Sequence, residues 1–310
     1  MILFPPSKKI NRSLFEAEYP FRSRYFVTSD GHKLHYLDEG KGEPILMLHG
    51  NPTWSFYFRH LIKELRKNFR CIVPDHIGCG LSDKPNSKDY PYRLWRRVHD
   101  LDQLMTSLVP HGKINLIFHD WGGMIAMAWA SQFPRRVRRI VVTNTSAFPP
   151  PKGKKLPFTI AFARNFPIFA IPAIQGINTF ARCATKMASA KGLSKSTTRG
   201  LLAPYNSWQN RIAILKFIQD IPLRPFDPGF YIVYRTAKEL CHFSNVSMRI
   251  LWGKQDFVFN DDYLFEWQQY FPRAITHEFD DCGHYLLEDA PEETTQIVSD
   301  FMNPKPFVRS

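Results

Sequence analysis

A carboxylate and a histidine, far apart in the chain, are the residues whose setting points most directly to chemistry. Asp120 stands in His119-Asp120-Trp121-Gly122-Gly123, between an apolar run from Ile114 to Phe118 and a helical pattern from Met124 to Gln132. A strand that ends in a sharp turn and opens a helix holds its turn residue above the sheet, beside unpaired amides of the helix N-terminus. A carboxylate held there is placed to attack carbon and become an ester. Aspartate ahead of a helix also caps helices, and taken alone Asp120 fits that structural role. Gly122 and Gly123 allow the close backbone approach an elbow needs, whereas Phe118 fills a position that is often small in such turns.

An ester formed on a carboxylate must be released by activated water, and histidine is poised for that task near neutral pH. His284, in Asp281-Cys282-Gly283-His284-Tyr285, lies between the last strand-like run and the last helical one, after the nucleophile in chain order as this arrangement requires. Its partner acid, which fixes the tautomer and stabilises the imidazolium, is expected to be Asp256 in Trp252-Gly253-Lys254-Gln255-Asp256. Asp280, Asp281 and Glu288 are neighbouring competitors. The other known placement of the acid falls near Asn144, which carries no charge. His49 and His119 are expected to be structural residues beside the site.

Negative charge that develops in such a reaction is best received by preorganised N–H groups. Asn51, in His49-Gly50-Asn51-Pro52, offers backbone and side-chain donors, and Trp121 offers its backbone amide and indole N–H. Each also has a plain structural reading, a turn residue and a packing residue. Together with Asp120 they suit the grip of a departing anion such as halide.

The elements that must position these groups alternate between β-rich and helical patterns, which implies a mainly parallel sheet covered by helices. A hairpin is expected from Arg24–Thr28 and Lys33–Asp38 around the Asp30-Gly31 turn. Strand-like runs follow at Pro44–Leu48, Arg70–Val73, Ile114–Phe118, Arg139–Val142, Met248–Trp252 and Ile275–Phe279. Helical periodicity marks Trp54–Lys67, Trp95–Leu108, Met124–Gln132, Asp261–Tyr270 and Glu292–Phe301. This predicts an α/β fold: an N-terminal extension over 1–23, a core formed by 24–145 and 246–310, and an inserted helical cap over 146–245.

Composition narrows the class further. The chain is 310 residues long, 44% hydrophobic and 15% aromatic, enough for a large core. Its net charge of +13 is concentrated: between Pro150 and Phe226 twelve Lys or Arg face one acid, Asp220. No nucleic-acid-reading motif accompanies this block, so nucleic acid is not an expected partner. A solvated face, a membrane contact or self-association through the basic cap are the readings that stand. Met1–Phe21 lacks the apolar run of a secretory signal, and the five cysteines show neither pairing nor metal-site spacing, so a cytoplasmic location with possible membrane association is expected. The most apolar stretch, Leu156–Phe180, is broken by Arg164, Asn165, Pro167 and Pro172 before it could span a bilayer.

His49-Gly50-Asn51-Pro52, Asp75-His76-Ile77-Gly78-Cys79-Gly80-Leu81-Ser82, His119-Asp120-Trp121-Gly122-Gly123 and Asp281-Cys282-Gly283-His284 together resemble the haloalkane dehalogenase family of α/β-hydrolases. The resemblance covers nearly the whole chain. Tyr205-Asn206-Ser207-Trp208 and Gln219-Asp220-Ile221-Pro222-Leu223 are similar to its third subfamily, which also contains the β-lactone decarboxylases of bacterial long-chain olefin biosynthesis. The resemblance implies an α/β-hydrolase fold with an inserted helical cap. It also implies that Asp120 displaces halide from a small apolar substrate, that Asn51 and Trp121 hold the leaving ion, and that His284 with Asp256 activates water, without metal or organic cofactor. On a β-lactone the same aspartate would open the ring, and loss of carbon dioxide would leave an alkene. Phe148, Tyr205 and Trp208 are expected in the substrate pocket. An epoxide hydrolase would place cap tyrosines there, with Tyr205 as the candidate.

Overall fold

A computed structural model describes residues 8–303, so the start of the 1–23 extension and the end of the 246–310 segment lie outside the described residues. Eight strands form one sheet: β1 (Arg24–Val27), β2 (Lys33–Glu39), β3 (Glu43–Leu48), β4 (Phe69–Pro74), β5 (Ile114–Asp120), β6 (Val137–Thr145), β7 (Ser247–Gly253) and β8 (Ile275–Phe279). Their order across the sheet is β1-β2-β4-β3-β5-β6-β7-β8. β2 runs antiparallel to both β1 and β4, and every other pairing is parallel.

The continuous apolar character of the middle strands follows from burial on both faces. Leu46 and Leu48 of β3 join Leu116 and Phe118 of β5 in one core, while Ile45 and Met47 join Ile117 in the other. Helices α1 (Arg59–Leu65) and α12 (Pro291–Met302) pack together, as do α2 (Leu94–Leu108) and α3 (Trp121–Ala130). All ten residues of α3 are buried, which explains why its sequence is apolar all round.

Between β6 and β7 the chain forms six α-helices: α4 (Phe158–Asn165), α5 (Pro167–Ile171), α6 (Thr179–Met187), α7 (Lys195–Leu202), α8 (Ile212–Gln219) and α9 (Phe230–Glu239). They enclose a small core of their own built on Ile160, Ala170, Ile174, Ile214 and Ile218. The last of them, α9, returns to the sheet side, where Val233 and Ala237 join the core around α3. Two more helices, α10 (Asp261–Tyr270) and α11 (Leu286–Asp289), complete the chain.

Two local differences from the sequence reading have simple causes. The helix expected from Trp54 begins as a 3-10 turn, Ser55–Phe58, because the Ser55 N–H is taken by the buried Asp75 carboxylate at 2.7 Å. The single turn of α11 is too short to show a period. The extension is no loose tail over its described part: Phe15 and Tyr19 pack their rings on Trp54, with centroids 5.1 and 5.0 Å away.

Candidate active site

Asp120 ends β5 with φ 52° and ψ −127°, a region that a side chain with a Cβ rarely adopts. That twist lifts the carboxylate off the sheet, and its side chain makes no capping bond to α3, which sets aside the helix-cap reading. The neighbours leave no room for larger residues. A Cβ on Gly50 would fall 1.9 Å from Oδ1 of Asp120, and one on Gly122 would fall 2.0 Å from the Leu48 carbonyl oxygen. Phe118 fits at the elbow because its side chain points into the core, with its ring 6.3 Å from Trp267.

Two backbone amides serve the carboxylate. The Asn51 N–H donates to Oδ1 at 2.6 Å, and the Trp121 amide lies near enough to favour the charged carboxylate. Burial nevertheless pushes the Asp120 carboxyl above the usual range, against the pull of His284 and these amides. The side chain of Asn51 donates to the Ile214 carbonyl of α8 at 3.2 Å, which ties this loop to the cap. Trp121 packs on Phe217, centroids 5.1 Å apart, and the guanidinium of buried Arg97 lies 3.5 Å from the far ring's centroid.

Nε2 of His284 lies 3.8 Å from Oδ2 of Asp120, and its Nδ1 lies 2.7 Å from Oδ2 of Asp256. Burial alone would lower the His284 pKa, but Asp256 and Asp120 outweigh it and raise it above the usual histidine value. Asp256 is fixed from all sides: Oδ1 accepts the N–H groups of Val258 (2.7 Å) and Phe259 (3.0 Å), and Oδ2 accepts Nδ2 of Asn144 (3.0 Å). None of the competing acids stands in its place. Asp281 pairs with Lys191, Glu288 with Arg59, and Asp280 offers its backbone carbonyl to Gln255.

His49 and His119 brace the surroundings. His49 donates from Nδ1 to the Gly50 carbonyl (2.7 Å) and accepts the His76 N–H at Nε2 (3.1 Å). His119 donates from Nε2 to the His284 carbonyl at 2.8 Å. The Asp75 motif is a second staple: its carboxylate receives His35, Ser55 and Leu81, and is held at about 2 because His35 and these hydrogen bonds outweigh burial.

A cavity of about 390 Å³ opens from Asp120, Trp121, Asn51 and His284 towards the cap surface. Phe148, Met124, Ile160, Ile174, Ile218 and Val233 are among its apolar walls. Tyr205 and Trp208, expected in the pocket, do not line it. The Tyr205 hydroxyl instead donates to the Thr53 carbonyl at 3.2 Å, and its ring joins the cap's core. The neighbouring Asn206 donates to the Lys9 carbonyl at 2.9 Å, so this segment fastens the cap to the core and extension. Trp208 accepts from Gln175 through its carbonyl and packs near Gly176. With Tyr205 turned away, no cap tyrosine among the described residues faces the cavity, and the epoxide-opening reading loses its electrophile. The tyrosines that do line it, Tyr263 and Tyr285, belong to the C-terminal core segment.

The sequence reading missed Asn144 as a positioning group, although its place at the end of β6 was a usable signal. It also missed Asp289, which accepts from Gly283 beside the histidine (2.7 Å) and from Ala190 of the cap (2.9 Å). No local pattern marks that residue.

A strained aspartate elbow, a histidine–aspartate pair and a helical cap over a mainly parallel sheet define an α/β-hydrolase. The chain belongs to the α/β-hydrolase fold family, whose pattern matches residues 43–291. It is 46% identical to the cis-3-alkyl-4-alkyloxetan-2-one decarboxylase of Shewanella oneidensis, over 91% of this chain and 89% of that protein. Against the decarboxylase of the same name from Xanthomonas campestris it is 39% identical, over 93% and 98%. Haloalkane dehalogenase 2 of Mycobacterium tuberculosis is 30% identical over 90% and 94%. In structure it is similar to the haloalkane dehalogenase DatA of Agrobacterium tumefaciens, with a TM-score of 0.80 and 23% identity over 91% of this chain and 96% of that one.

Proposed function

We propose that this chain decarboxylates cis-3,4-dialkyl β-lactones to cis-alkenes, with Asp120 as nucleophile. The observation that carries the reading is a buried carboxylate, held on one oxygen by the Asn51 N–H and facing an apolar cavity, in a chain 46% and 39% identical to two decarboxylases of this substrate class. One Asp120 oxygen is held by the Asn51 N–H, so the other is free to attack the ring carbon bonded to oxygen. The C–O bond breaks, its electron pair goes to the departing carboxylate, and an alkyl ester remains on Asp120. The second N–H of the Asn51 side-chain amide and the Trp121 indole N–H receive the charge of that carboxylate. The bond to the carboxylate carbon then breaks. Its electrons form the alkene, carbon dioxide leaves, and Asp120 departs as a free carboxylate.

Attack inverts the carbon, and anti elimination follows, so a cis-lactone gives a cis-alkene. The balance needs no water, metal or organic cofactor. His284 and Asp256 keep Asp120 ionised through a charge that Asp256 supports.

The same groups suit haloalkane hydrolysis, and the paired donors Asn51 and Trp121 beside Asp120 favour keeping it as the second reading. There Asp120 displaces halide, and His284, backed by Asp256, activates water against the ester. Phe148 contributes an apolar wall in either case. Parallel turnover separates them: a cis-dialkyl β-lactone followed by alkene formation, and a bromoalkane followed by halide release. Faster alkene formation supports the lactone reading, and halide release without alkene formation overturns it.

A further inference from the structure

The cap carries an apolar face that its own core does not use. On α4 and α5, Phe158 is 82% exposed, Ile168 80% and Phe169 61%, with Phe162 and Phe166 exposed beside them. Ring contacts make this one surface: Phe162 lies 6.3 Å from Phe158, 4.9 Å from Phe166 and 6.0 Å from Phe169. A contiguous aromatic patch on a soluble fold marks a contact site. Phe158, Phe162, Phe169 and the exposed Met187 also line the mouth of the cavity above Asp120, so the patch and the entrance to the site are the same place.

Charge says what covers it. Lys155, Arg182 and Lys186 are exposed at or beside this mouth, and none has an acidic partner among the described residues. Lys155 lines the cavity itself, and Arg182 and Lys186 sit beside the lining residues Cys183 and Met187 on α6. Aromatic side chains ringed by unpaired cations match an anionic lipid surface, where apolar groups enter the headgroup boundary and cations meet phosphate. A second copy of this chain would bring the same positive ring against itself. No helix among the described residues is long and apolar enough to cross a membrane, and α4 and α5 are short, so they would lie in the interface plane.

We propose that the α4–α6 face of the cap docks on anionic membranes, with the cavity mouth opening onto the bilayer so that apolar substrate enters from lipid. Docking is independent of which substrate is turned over, and it is measured without turnover.

The test is flotation of the full-length protein with phosphatidylglycerol and with phosphatidylcholine vesicles, at low salt and at about 0.5 M NaCl, where screening acts within a few ångströms. The expected result is binding to phosphatidylglycerol that weakens with salt, and little binding to phosphatidylcholine. Phe166 and Ile168 do not line the cavity. The double variant Phe166→Ser/Ile168→Ser is expected to bind at least ~10-fold more weakly with an unchanged melting temperature, given the apolar area lost. Arg182→Glu/Lys186→Glu should remove the salt-sensitive part. Absence of binding to phosphatidylglycerol at low salt overturns the proposal, as does binding that the Phe166/Ile168 variant leaves intact. A concentration-dependent dimer that this variant dissolves, without vesicle binding, overturns it in favour of a second copy on the face.

Discussion

Nδ2 of Asn144 lies 3.0 Å from Oδ2 of Asp256, the same oxygen that faces the catalytic histidine candidate. Asn144 also donates to the Gly253 carbonyl and accepts the Gly253 N–H, at 3.0 and 2.9 Å, so the end of β6 grips the end of β7 and aims the carboxylate. A hydrogen bond to a charged group contributes about 1.5–3 kcal/mol, or roughly 10–100-fold in rate where the charge is used. Asn144→Ala is therefore expected to lower kcat by that factor with a smaller change in KM, measured by steady-state kinetics. An unchanged kcat would remove Asn144 from the positioning of Asp256.

Gly50 stands against the Asp120 carboxylate. A methyl group there would fall 1.9 Å from Oδ1 of Asp120, so Gly50→Ala must push the carboxylate aside. Displacement of about 1 Å costs on the order of 10²-fold in rate. The variant should lose turnover by at least that factor while its thermal melt stays close to the parent's.

The directions of the two pKa shifts give a pH signature. His284 is raised, so the neutral imidazole that activates water is lost as pH falls through a value above the usual histidine range. Asp120 is raised too, and its attack is lost only as pH falls through a carboxylate value above the ordinary one. Haloalkane hydrolysis should therefore fail on the acid side before lactone decarboxylation, which uses no water. His284→Gln should stall the haloalkane reaction as a covalent ester, seen as a mass increase on the intact protein. The lactone reaction should lose less in this variant.

Tyr205 tests the corrected pocket. Its hydroxyl bonds the Thr53 carbonyl and does not reach the cavity. Tyr205→Phe leaves that acceptor without its partner and should cost about 1–2 kcal/mol of stability in a denaturant melt. Turnover of a short substrate should stay within roughly twofold of the parent. A loss of activity without a loss of stability would return Tyr205 to the site.

How much of this was legible in the sequence follows from range. The elbow around Asp120 was readable because strand, turn and helix are contiguous, and the two glycines that permit it sit next to the aspartate. His284 and Asp256 were readable from their order after the last strands. Tyr205 and Trp208 misled because a motif in the cap gives no direction: whether a side chain points into the cavity or fastens the cap depends on how six helices pack, and no spacing encodes that. Asp289 joins the nearby Gly283 to the distant Ala190, and Asn144 reaches Asp256 across the sheet, so neither role shows in local spacing. The balance between lactone and haloalkane was likewise beyond the site residues, which suit both. Identity of 46% and 39% to decarboxylases, against 30% to a dehalogenase, is what moved the lactone reading ahead.

The central claim is that Asp120 attacks carbon. Its most direct measurement is alkene yield from a cis-dialkyl β-lactone with the parent protein and with Asp120→Asn, the substitution confirmed by intact mass. The parent should give cis-alkene matched by lactone consumed, and the variant none above background. Full alkene formation by Asp120→Asn would contradict the claim.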